Sequence, residues 1–280
     1  MKNSKNTNKK FTEKKFTENS YPLISLMAAL FIYGCATQET PAPSSATIDY
    51  YFSYDTSFAE NAEVKFSTGN ADWTIEKAGM IAGEIGIHWE EANTPRSADP
   101  ICASLRHDVP GGKISPKIYG YFAVDLLKPQ HIQMLKVEPG IYSHIHMVIT
   151  NENNANALGS SVTRIDSFPE LKQNRSYYVS GKVSKDEKEY PFELYTTQTF
   201  DENTMGDMMF RIQIFENELY SFFVSPKLQS WFSPIVFETL KPNENGIVLI
   251  NDENNYSAAY AFRQKFTDSN PMALAIKKQL

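Results

Sequence analysis

From Thr47 onward the chain is a succession of short runs rich in Val, Ile, Thr, Tyr and Phe, each closed by turn residues at roughly ten-residue spacing. This spacing constrains the fold most, because a run of that length buries its apolar face only by packing against other strands. The candidates are Ile48–Phe52, Trp73–Ala78, Glu84–Trp89, Lys117–Leu127, Ile141–Thr150, Phe210–Phe215, Leu219–Val224 and Gly246–Ile250. Tyr177–Val183 runs into the polar Lys185-Asp186-Glu187-Lys188 and returns as Tyr190–Thr197, which predicts a hairpin. One helix is expected after Asn251-Asp252, with Tyr256, Ala259, Tyr260, Phe262 and Phe266 forming its buried side. The stretch from Glu91 to Ser115, with Pro95, Pro100, Pro110, Gly111 and Gly112, reads as a long loop, and Asn151–Asn156 as a second one. The expected fold is mainly β, an antiparallel β-sandwich with a C-terminal helix over residues 47–280. Either one large sandwich or two lobes with a break near 151–168 fits the pattern. With 18 Phe, 15 Tyr and 3 Trp, the chain has ample material for such a core.

The N-terminus follows a different rule. Lys2, Lys5, Lys9, Lys10, Lys14 and Lys15 precede an uncharged run from Tyr21 to Gly34. An apolar run of about 14 residues suits a signal peptide and falls short of the roughly 20 needed for a permanent span. It ends in Ile32-Tyr33-Gly34-Cys35, which resembles a bacterial lipobox, with Tyr33 departing from the Ala or Ser usual at that place. The resemblance implies that residues 1–34 are a lipoprotein signal peptide and that Cys35 is lipidated and anchors the chain to a membrane. Ordinary cleavage after Gly34 or a signal-anchor helix are the plainer alternatives. Residues 35–46, rich in Ala, Thr, Ser and Pro, would be a flexible tether. Ala36 stands where an Asp would retain such a lipoprotein in the inner membrane, so an outer-membrane or surface location is expected.

Charge bears on partners. Removal of residues 1–34 takes away six lysines and two glutamates, moving the net charge from −6 to −10. A chain so acidic lacks the basic face that nucleic acid requires. Several blocks, namely Trp73-Thr74-Ile75 with Gly83-Glu84-Ile85, Asp125-Leu126-Leu127, Pro139-Gly140-x-Tyr142, Val179-x-Gly181 with Pro191-Phe192, Trp231-Phe232 and Asn245-Gly246-Ile247, resemble uncharacterised β-rich bacterial envelope lipoproteins. That resemblance implies an exported β-rich protein and carries no activity with it.

Candidate chemistry centres on His144-Ile145-His146. On a strand, residues two apart share a face, so Tyr142, His144, His146 and Val148 are expected on one side and Ile141, Ile145, Met147 and Ile149 on the core side. Two imidazoles projecting together can grip zinc or copper, with His88, His107, His131, Cys102, Asp99 or Asp108 completing the set. A lone His-x-His is a weak signal, and two solvated residues on an exposed sheet face is the plainer reading. With Cys35 lipidated, Cys102 has no disulfide partner and is a buried thiol, a metal ligand or an intermolecular partner. The loop holding Cys102 and His107 carries no signature of a Cys–His nucleophile. No Gly-x-Ser-x-Gly, phosphate-binding or dinucleotide-binding run occurs. The expectation is a binding protein rather than an enzyme, for a transition metal or, alternatively, an adhesin or accessory module using aromatic faces without metal.

Overall fold

The computed structural model describes residues 45–54, 63–68, 70–89, 108–109, 113–114, 116–200, 208–268 and 272–279. The strands of three or more residues, in chain order, are β1 (Ala46–Phe52), β2 (Val64–Thr68), β3 (Ala71–Trp89), β4 (Lys117–Asp125), β5 (Gln130–Val137) and β6 (Gly140–Thr150). They continue with β7 (Tyr177–Lys185), β8 (Lys188–Thr196), β9 (Met208–Ile214), β10 (Leu219–Pro226), β11 (Val248–Ile250) and β12 (Met272–Gln279). Helices α1 (Glu152–Ala157), α2 (Leu228–Phe232) and α3 (Tyr256–Asp268) lie among them. Residues 1–34 with Cys35, and the loop carrying Asp99, Cys102 and His107, lie outside the described residues, as does the side chain of Asp108.

β3 is the spine of the larger sheet. Along one edge it pairs with β7 over its first half and β6 over its second. Along the other it pairs with β2 and then β4. Beyond β7 lie β8 and then β11, and beyond β6 lies β9. The smaller sheet runs β12-β10-β1-β5. Alternation decides what lies between the sheets. Ile48, Tyr50 and Phe52 of β1, Phe222 and Val224 of β10, Trp73 and Ile75 of β3 and Phe192 of β8 all belong to one buried cluster. The chain is thus mainly β and sandwich-like, with a C-terminal helix.

Four differences from the sequence-based expectation have physical causes. The sheets are mixed rather than purely antiparallel: β1 pairs parallel with β10, and β8 with β11. Both partners arrive over long connections, which free a strand from the antiparallel direction that a tight hairpin imposes. The two strands expected at Trp73–Ala78 and Glu84–Trp89 are one 19-residue strand, β3. Asn151–Asn156 contains a helix, because the Asn151 side chain accepts from the Asn154 N–H and caps α1. In α3, Ala258, Ala259, Phe262 and Phe266 are buried, whereas Tyr256 and Tyr260 are about half exposed.

The aromatic surplus has a structural destination. Phe232 of α2 sits with its ring centroid 4.7 Å from Trp73, 5.7 Å from Phe192, 5.4 Å from Phe262 and 5.8 Å from Phe66. It joins strands β2, β3 and β8 to α3, and its edge-to-face pairs with Phe192 and Phe262 add to plain area burial. Phe232→Ala should lower the unfolding free energy by about 3–5 kcal/mol, with Phe232→Leu costing much less. Urea denaturation followed by tryptophan fluorescence measures both.

Candidate functional site

Two irregularities in pairing bring three histidines together. Between Gly83 and Gly86, β3 has three residue steps where β6 has two, from Val148 to His146. The extra residue is Glu84, held at φ 50°, so this is a β-bulge that reverses the alternation of the strand. Before it Met80 and Ala82 face the core; after it Ile85 and Ile87 do. Gly86 and His88 are thereby turned to the opposite face, the one that Ile81 and Gly83 occupy. A second slip lies across the pair His88–His144 and Trp89–Tyr142, where Ser143 is the extra residue. It returns Tyr142 to the core with Ile145, which corrects the expected sharing of a face by Tyr142 and His144. Burial pushes the Tyr142 phenol up, helped by Glu138, and its hydroxyl donates to the Glu138 carbonyl at 2.8 Å.

The outcome is a cluster of imidazoles. His88 and His144 are direct cross-strand partners, with rings 4.2 Å apart and inclined by only 7°. His88 Nε2 lies 2.5 Å from His146 Nδ1, one ring donating to the other. The Ser143 hydroxyl is 2.9 Å from His144 Nδ1. His144 and His146 are 5% and 2% exposed, so they are not solvated residues on an open face. The seat of His146 is Gly86, since a Cβ at that position would lie only 2.2 Å from His146 Cε1. Gly79 and Gly83 on the same face are occupied likewise by the rings of Phe168 and Tyr121. Across Gly86 from His146 comes Lys117, whose nearly buried amine lies 2.9 Å from Glu84 Oε2. Burial of that ammonium requires such a partner.

Of the sequence candidates, the structure therefore unites His144, His146 and His88. His131 lies on β5 in the other sheet, 3.2 Å from Asp49 Oδ1. Cys102 and His107 belong to the undescribed loop. Sequence reasoning missed Ser143 and Gly86; the signal for the latter was three glycines, at 79, 83 and 86, inside one strand. Among the described residues, no group of three or more His, Cys, Asp or Glu side chains is arranged to hold a metal ion. The reason is visible in the spacing. Two nitrogens bound to one zinc at about 2.0–2.1 Å in a tetrahedral set stand about 3.3 Å apart, whereas His88 and His146 are at hydrogen-bonding distance.

No family model, no curated protein and no solved structure matches this chain. Gly86→Ala should dislodge His146 and lower stability by about 1–3 kcal/mol. Chemical denaturation gives the second quantity. Nitrogen-15 spectra of the histidine rings should show the His88–His146 hydrogen bond lost.

Proposed function

We propose that residues 47–280 form the binding domain of a lipid-anchored bacterial envelope protein, and that it binds a divalent transition metal, zinc or copper, through His88, His144 and His146. The observation carrying the metal reading is the meeting of three imidazoles from two adjacent strands on one face, two of them almost fully buried. Neutral imidazole is the ligand that suits both metals. The hydroxyl of Ser143 on His144 Nδ1 is the outer-shell contact that orients a ring to ligate through Nε2. Binding requires the His88 and His146 rings to turn apart by about 1 Å at their facing nitrogens, exchanging a shared proton for the metal. The acidic surface draws cations toward the domain.

Titration of the metal-stripped full chain in detergent with Zn²⁺ or Cu²⁺ should reveal one site. His146→Ala should weaken it by at least about 100-fold, more than an outer-shell loss would. Undiminished affinity in a variant with all three histidines replaced by alanine would sink the metal reading.

The anchor rests on the lysine-rich leader, the uncharged run and Cys35. Two or three acyl chains hold a protein to a membrane where one does so only weakly. The wild-type chain should partition into the detergent phase of Triton X-114 and carry the added mass of the acyl groups. Cys35→Ser should remove that mass; a variant retaining it would refute lipidation at this residue.

A further inference from the structure

A cleft of about 340 Å³ opens on the flank of α3, lined by Gln198, Phe200, Tyr256, Tyr260, Arg263, Gln264 and Thr267. It is separate in composition from the histidine cluster and lies within the size range of small-molecule sites, about 300–1,000 Å³. Its walls are of two kinds. Tyr256 and Tyr260, one helical turn apart, are 54% and 49% exposed, and their rings lie 6.2 Å apart at an inclination of 25°. Between these rings and the core stands Arg263, 8% exposed. Its guanidinium is 5.8 Å from the Tyr256 ring centroid and is paired with Asp252. The side-chain amides of Gln198 and Gln264 make no hydrogen bond among the described residues.

The chemistry of the lining selects its ligand. An anionic ligand would need an uncommitted cation, but the single guanidinium here is already neutralised by a carboxylate. An acyl chain would need dry walls, and carboxamides, a hydroxyl and phenols line these. What remains is a neutral molecule with apolar C–H faces and many hydroxyl groups. A pyranose ring has both, its faces stacking on aromatic rings and its hydroxyls pairing with amides. We propose that this cleft binds a short neutral oligosaccharide, with Tyr256 and Tyr260 as the stacking platform and Gln198, Gln264 and Arg263 as hydrogen-bonding partners.

The test uses the full chain in detergent and isothermal titration with the hexaoses of cellulose, starch amylose, xylan, laminarin, chitin and mannan, each at millimolar concentration. At least one should bind, and Tyr260→Ala should weaken it by about tenfold or more, the loss expected for one aromatic stacking contact. Gln264→Ala should weaken it several-fold. Absence of binding by every member of the panel overturns the proposal, as does binding that both cleft variants retain. Should a variant lose the parent's melting curve, saturation-transfer NMR on the parent decides. Transfer from tyrosine ring protons to sugar C–H protons is expected, and its absence overturns the assignment.

Discussion

The bulge at Glu84 is the constraint on which the architecture of the larger sheet turns. A strand of 19 residues that serves four neighbours must bury both faces along much of its length, and an unbroken alternation would drive His88 into the core with Met80 and Ala82. One residue at positive φ resets the pattern. Ile85 and Ile87 then continue the apolar face, while Gly86 and His88 continue the opposite one. Non-glycine residues in the left-handed region cost of order 1–3 kcal/mol and persist where their surroundings hold them. Here the carboxylate is held by Lys117, whose own burial depends on the same contact.

Once that face is set, the glycines on it become seats for rings. Phe168 lies over Gly79, Tyr121 over Gly83 and His146 over Gly86. Toward one end, Ile81, Tyr121, Phe168, Leu171 and Tyr178 form a second buried cluster; toward the other, polar imidazoles take the place of apolar rings. The same backbone device therefore supports packing at one end and a candidate site at the other. On the inner face a larger aromatic assembly around Trp73 and Phe232 joins the spine to α2 and α3.

Much of this was legible in the residues. The hairpin of β7 and β8, the strands β1, β6, β9 and β10 and the helix α3 follow from period-two alternation, turn residues and spacing of apolar positions. The rest was hidden for identifiable reasons. β5 was missed because Ile132 is an extra residue opposite Tyr50–Tyr51 and breaks the alternation. β12 reads Met-Ala-Leu-Ala-Ile-Lys-Lys-Gln, a composition that favours helix, and becomes a strand by pairing with β10 along its whole length. The parallel pairings could not be read at all, since strand direction is fixed by connections rather than by pattern. The outward turn of Tyr256 and Tyr260 escaped for a related reason: tyrosine counts as apolar in a periodicity argument, yet its hydroxyl permits exposure.

The sequence by itself determined that the chain after Thr47 is a β-rich body with a large aromatic core, and that His144 and His146 share a strand face. Local alternation suffices for both, because side chains two apart in a strand point the same way whatever surrounds them. Only the tertiary structure decided that His88 joins them, that the pair is buried, and that Tyr142 leaves them. Those outcomes depend on where the pairing of β3 with β6 slips by one residue, and a slip is set jointly by both strands.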